Sequence, residues 1–338
     1  MLAIAAFAGG PLVPRTYLPG YRGRMPRISD MLLDGVVFLF RTKADAEARE
    51  RIGGTGFVVA KPVEGSKELI GRTLFIPYIV SNKHVVFEGG ASVVSVNRRD
   101  GGKPDIIEYE PTDWVAHPSG DDVAIICAFG DLDSAMHKTS HIAEHQIVTP
   151  EGMKRWMVGV GDEVFMIGRF INLQGRNSNR AAARFGCISM MQERIFQHQR
   201  NFWQESFAVE MRSRTGFSGS PVAVYRTVAT NLSDIPQNLS NFFGILGVNW
   251  GYILDEHGEN TWLNGVVPGW KILDLLETPE MKRRHEEASA PVLLAAKGGA
   301  KLAIADLPDP PANDENPNHQ EDFTRLLSAA ARTREPKD

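Results

Sequence analysis

Three short stretches of this chain carry side chains able to do covalent chemistry together. Ser218 stands in Gly216-Phe217-Ser218-Gly219-Ser220-Pro221, with the apolar run Val222-Ala223-Val224-Tyr225 directly after it. His84 follows the apolar run Phe75 to Val80, in Ser81-Asn82-Lys83-His84-Val85-Val86. Asp122 opens Asp122-Val123-Ala124-Ile125-Ile126. A serine hydroxyl is a poor nucleophile until a neighbouring base takes its proton. Histidine suits that task because its pKa lies near neutrality. A buried carboxylate holds the imidazole tautomer and stabilises the imidazolium that forms. The assignment is Ser218 as nucleophile, His84 as general base and then acid, and Asp122 as the group that orients it. The backbone N–H groups of Gly216 and Ser218 are the candidate donors for an oxyanion, since Gly216 tolerates backbone angles that would aim its N–H inward.

Competing residues are weighed by their neighbours. Asp122 is preferred over Asp121 because it abuts the apolar run, and Asp121 is expected to face water. His117 precedes Pro118 and has no apolar lead-in, so it reads as a loop histidine. His137, His141 and His145 recur at helical spacing, but nothing beside them completes a zinc motif, and a polar linker face is the better reading. No metal or cofactor is expected.

The order His, Asp, Ser separates this chain from α/β-hydrolases and subtilisins, and Ser220 stands where a hydrolase elbow would have glycine. Over about residues 35 to 276 the chain resembles the trypsin-like serine peptidases, in particular the bacterial branch that includes Deg-type proteases. Gly53 to Val59 resembles the first hairpin of that family. Ser81 to Val86 resembles its T-x-x-H-V segment, Asp122 to Ile125 its D-[LIV]-A-[VIL], and Gly161 to Gly168 its G-D-x-V-x-x-x-G. Gly216 to Pro221 resembles G-[DN]-S-G-[GS]-P. Gly247 to Gly251 resembles the S-W-G strand, and Asn264 to Pro268 with Trp270 to Leu276 the last strand and closing helix.

The resemblance implies two packed antiparallel six-stranded β-barrels, an all-β fold with a C-terminal helix, and the active site between them. It implies a polypeptide substrate, paired with the strand Val248, Asn249, Trp250 and Gly251. It also places Arg212, six residues before Ser218, at the floor of the primary pocket with Ser213 beside it. A buried guanidinium there would select acidic residues; a solvent-facing one would not. Two residues depart from the pattern. Phe217 replaces an acidic or amide residue, so it cannot pair with a newly cut N-terminus. Asn249 replaces the serine of S-W-G and is expected to donate toward the Asp122 carboxylate. The reading is a serine endopeptidase. The alternative is a catalytically weak or inactive protease-like module that binds peptide, which the Phe217 loop keeps open.

Composition agrees with a soluble globular protein. The 338 residues are 43% hydrophobic and 23% charged, ordinary for a folded chain long enough to bury a full core. A net charge of −4 disfavours nucleic acid as a partner. The two cysteines, Cys127 and Cys187, are expected as free thiols rather than a disulfide. No run reaches the length of a membrane helix, and Met1 to Gly10 lacks the basic start of a signal peptide, so a cytoplasmic location is expected.

Four segments follow. Residues 1–30 form a Pro- and Gly-rich irregular leader, 31–150 a first barrel with His84 and Asp122, and 151–280 a second barrel with Ser218 and the closing helix. Residues 281–338 form a charged, largely disordered tail. Within it, Glu321 to Leu327 reads as a short helix and a candidate for docking a partner. Residues 131–157 read as a partly helical link, and Arg176, Arg180 and Arg184 as a solvated rim.

Overall fold

The computed structural model describes residues 28–297 apart from 72, 199, 214 and 227–241. The leader up to residue 27 and the tail after residue 297, including the linker 307–317 and the helix expected at 321–327, lie outside the described residues.

Strands dominate, in two lobes. The first lobe holds β1 (Val36–Phe40), β2 (Gly54–Pro62), β3 (Phe75–Ser81), β4 (Val93–Val96), β5 (Asp105–Ile107), β6 (Val115–Ala116), β7 (Ala124–Cys127) and β8 (Ile142–Ala143). The second holds β9 (Glu163–Arg169), β10 (Ala181–Gln197), β11 (Phe202–Met211), β12 (Pro221–Arg226), β13 (Phe242–Leu254) and β14 (Asn260–Pro268). These six close into an antiparallel barrel in the order β10-β11-β14-β13-β12-β9. The first lobe corrects the expectation of a second six-stranded barrel. It is an eight-stranded sheet, β5-β4-β1-β2-β3-β7-β6, with β8 added in parallel to β2. Its end strands, β5 and β6, are only three and two residues long and do not pair with each other among the described residues.

The apolar runs are continuous because both faces of the strands are covered. In β1, Val37 and Leu39 enter the first core with Val58, Ile79, Val94 and Ile126. The alternate residues face the other way. Val36 and Phe57 line a small cavity between the lobes with Phe165, Ile167, Ala223 and Ile245, while Phe38 and Phe40 stack beneath Arg49 and Arg169. The second core gathers Val164, Met166, Ile188, Phe207, Val222, Leu246 and Val266. Burying each such large side chain stabilises by about 1.5–3 kcal/mol.

The lobes are joined by two guanidinium groups that have no acidic partner among the described residues. Arg169, at the end of β9, is fully buried. It donates to the Leu39, Ile52 and Glu50 carbonyls and to Gln174 Oε1, and lies 4.0 Å over the Phe40 ring. Arg49 reaches Gln174, Gly175 and Asn179 in the opposite direction. Burial, with Arg49 nearby, pulls the Arg169 pKa down to about 9, so it remains a cation at neutral pH. Arg169→Met removes every one of these donors and leaves the Leu39 carbonyl and Gln174 Oε1 buried without them. The expected loss is about 3 kcal/mol or more in urea unfolding, and Arg169→Lys, lacking the planar fork, recovers little of it.

Residues 131–157 contain β8 and the helix Pro150–Trp156 but no long helix, so the three histidines do not share a helical face. His137 Nε2 lies 3.2 Å from Asp105, and burial pushes His141 down to about 4. Arg176 and Arg180 are exposed, whereas Arg184 is half-buried over the Phe170 and Phe217 rings. Cys127 and Cys187 are free and half-buried. The charged start of the tail, helix-prone in sequence, is a helix. Thr278 caps a helix from Pro279 to Lys297, where proline suits the first helical position. Met281 and Val292 are fully buried, and His285 bonds Tyr78 of β3 at 2.8 Å. Among the described residues no helix is long and apolar enough to cross a membrane.

Candidate functional site

His84 leaves the end of β3 at the head of a single π-type turn, His84–Glu88, closed by Gly89 N–H to the His84 carbonyl at 2.7 Å. Such turns recur at functional sites. The histidine ring donates from Nδ1 to Asp122 Oδ2 at 2.6 Å, and the His84 backbone N–H donates to Asp122 Oδ1 at 2.9 Å. A carboxylate only accepts, so the proton sits on Nδ1 and Nε2 is left as an acceptor. The Asp122 backbone is held too. Asn82 Nδ2 donates to its carbonyl at 2.8 Å, and its N–H donates to Gln204 Oε1 at 2.8 Å. Burial pushes the Asp122 carboxyl up, but the His84 charge and its hydrogen bonds outweigh this and hold it below the usual range, with Arg200 adding to the effect.

Ser218 sits on a turn tied to the first lobe by Thr55. Thr55 N–H donates to the Ser218 carbonyl at 2.8 Å. Its Oγ1 donates to the Gly216 carbonyl at 2.7 Å and accepts from Arg169 N–H at 2.9 Å. The turn needs its glycines. Gly216 has φ +103°, and a Cβ there would lie 2.6 Å from the Arg169 carbonyl; Gly219 has φ +87° and its Cβ would overlap the Thr55 carbonyl. Ser218 and the residue after His84 meet across Gly54, whose Cβ would lie 2.7 Å from Val85 and 2.9 Å from the Ser218 carbonyl. The Ser218 hydroxyl donates to the Trp250 carbonyl at 3.4 Å rather than to His84. Among the described residues no carbonyl takes the N–H of Gly216 or Ser218. Phe217 does not disturb this turn: its ring is fully buried in the second core, 6.3 Å from Phe170.

Other expected residues are placed differently. Val248 lies inside the barrel, paired with Pro221 on one side and Val267 on the other. Asn249 is also committed to its own chain. Its backbone N–H donates to Ser220 and its carbonyl accepts from Gly219. Its Nδ2 donates to the Phe217 carbonyl at 2.9 Å, so it braces the serine turn and does not reach Asp122. The strand edge that an extended peptide could join begins only at Trp250 and Gly251, beyond the end of the β12 pairing. There the β13–β14 register shifts between Asn249 and Gly251. The shift turns the indole inward: Trp250 is buried, donates to Ser206 Oγ at 2.9 Å, and covers Gly265 so closely that any Cβ there would overlap it. A small cavity beside it is lined by Phe196, Arg200, Tyr252 and Leu254. Arg212 is exposed at the end of β11, and Ser213 is buried with its carbonyl accepting from Tyr252.

Asp121 corrects the expectation that it faces water, whereas His117 lies in the loop after β6 as the sequence suggests. Both are buried. Asp121 accepts from Gln204 Nε2 at 2.8 Å, and its Oδ2 lies 3.2 Å from Lys271 Nζ and 3.1 Å from His117 Nδ1. Burial alone would raise the Asp121 carboxyl, but His117 and Lys271 outweigh it and bring it to about 2. Its folded value lies below the ordinary 3.8, so its contribution to stability is complete above that pH and is lost as the pH falls toward about 2. Urea midpoints measured across that window should fall more steeply for wild type than for Asp121→Asn, and the variant should be the less stable protein at neutral pH.

In architecture the chain is similar to trypsin-like serine-protease domains. No protein-family model matches it, and no curated protein does. Among solved structures, the MamO protease domain of Magnetospirillum magneticum is 14% identical, covering 73% of this chain and 98% of that one, with a TM-score of 0.43. The Rv3671c protease of M. tuberculosis H37Rv, in its inactive form, is 18% identical, covering 72% and 88%, with a TM-score of 0.40. Deg5 is 15% identical over 72% and 88%, with a TM-score of 0.40.

Proposed function

We propose that the protein is a serine endopeptidase that cleaves peptide bonds through Ser218, His84 and Asp122. The observation that carries this reading is the His84–Asp122 pair. Two hydrogen bonds, at 2.6 and 2.9 Å, fix one carboxylate to both the ring and the backbone of one histidine, beside a serine on a glycine-bounded turn. Ser218 Oγ attacks the substrate carbonyl carbon as its proton passes to His84 Nε2. The Gly216 and Ser218 N–H groups take the oxyanion. His84 then returns the proton to the leaving amine, and water repeats the sequence on the acyl-enzyme. The hydroxyl must first rotate from the Trp250 carbonyl to His84. The substrate strand adds at Trp250–Gly251. No cofactor enters this reaction.

A second reading, a module that binds peptide without cutting it, is favoured by one feature: the Ser218 hydroxyl is engaged by Trp250. Incubation with denatured protein and with a peptide library separates the two. The expected result is cleavage by wild type and none by Ser218→Ala. Because Arg212 is exposed, Arg212→Ala should leave the cleavage profile unchanged; an acidic preference that vanishes in that variant would place Arg212 in the pocket after all. Intact substrate with wild type, despite measurable peptide binding, would favour the binding module.

A further inference from the structure

Gln204 belongs to β11 of the second lobe and is fully buried, yet its amide meets two consecutive aspartates of the first lobe. Its Oε1 accepts the Asp122 N–H, and its Nε2 donates to Asp121 Oδ1, each at 2.8 Å; Nε2 also lies 2.9 Å from the Glu205 carbonyl. The orientation of this amide is forced. A backbone N–H only donates and a carboxylate only accepts, so a flipped Gln204 would lose both bonds. Asp121 is in turn gripped by Lys271 of the closing helix Trp270–Leu276, and Lys271 also reaches Glu205 Oε2 at 3.2 Å. A continuous line of contacts therefore runs from the closing helix through Lys271, Asp121 and Gln204 to Asp122 and His84. Asn249 gives its amide to Phe217 and supplies nothing to Asp122, which leaves Gln204, among the described residues, as the second-lobe side chain that hydrogen-bonds this aspartate.

We propose that Gln204 is a positioning residue for the His84–Asp122 pair. It fixes the Asp122 backbone so that both carboxylate oxygens meet His84, and Lys271 fixes Gln204 through Asp121. The role in turnover rests on the endopeptidase reading; the role in holding His84 does not. The charged and titratable groups facing this unit are His84, Arg200, His117, Lys271 and Glu205.

The test uses the full chain and two readouts. One is the low-field proton resonance of the His84 ring N–H, assigned by its loss in His84→Ala and followed with pH. The other is the rate of fluorophosphonate labelling at Ser218. Gln204→Met keeps the side-chain volume and removes both bonds. It should broaden or shift the resonance and slow labelling about tenfold, as expected for lost buried hydrogen bonds. Lys271→Met should move both readouts in the same direction by about threefold, since it acts through one further contact. If Gln204→Met does not fold, Lys271→Met decides by the same criteria. Folded variants with the wild-type resonance overturn the proposal. A resonance perturbed by Gln204→Met in a protein that never labels supports the placement of Gln204 and counts against the endopeptidase reading instead.

Discussion

Ser218→Ala and His84→Ala each lower peptide hydrolysis about 10⁶-fold, and the double variant is hardly worse than either, because nucleophile and base act as one unit. In the proposed mechanism, replacing Ser218 removes the oxygen that forms the acyl bond. Replacing His84 removes the acceptor for the serine proton and takes the ring donor from Asp122 Oδ2, while the backbone N–H of residue 84 still donates to Oδ1. Both variants should remain folded: Ser218 is held by its backbone contact to Thr55, and the Asp122 backbone keeps its bonds to Asn82 and Gln204. Steady-state hydrolysis of the best library peptide, with melting curves alongside, checks the pair. Additive losses would mean that the two side chains act independently.

Asp122→Asn lowers turnover about 10⁴-fold, and the geometry gives the reason. Asp122 accepts from the His84 backbone through Oδ1 and from the His84 ring through Oδ2. An asparagine has one oxygen for these two donors. If it satisfies the backbone, its NH₂ faces Nδ1, the ring proton moves to Nε2, and His84 can no longer accept from Ser218. The loss should appear in kcat with little change in KM, and Asp121→Asn should lose far less. A larger effect at Asp121 would reverse the assignment.

The His84–Asp122 pair and the Ser218 turn are legible in the sequence because each residue lies in a local pattern: a serine between glycines, a histidine after a buried strand, an aspartate before one. The apolar run Phe75 to Val80 before the histidine falls within β3, and Val222 to Tyr225 after the serine falls within β12. The supports are not legible in the same way, because they act across the lobes. Thr55 holds a turn more than 160 positions away, and Gln204 reaches an aspartate 82 positions away. Arg169, a fully buried cation, is satisfied by carbonyls that carry no sequence signature. Asn249 misled for a related reason. The register shift after it turns Trp250 inward and leaves the Asn249 amide facing Phe217, and alternation alone does not reveal a bulge. Asp121 misled because its partner Lys271 comes from the closing helix, and a charged residue with a distant partner reads locally as solvent-facing.

The most direct measurement is the mass of the wild-type protein after exposure to a fluorophosphonate, followed by mapping of the modified peptide. The expected result is one adduct per chain, on Ser218, absent from Ser218→Ala and His84→Ala. A folded wild-type protein that stays unmodified, or one modified equally well without His84, would contradict the claim that Ser218 is an activated nucleophile.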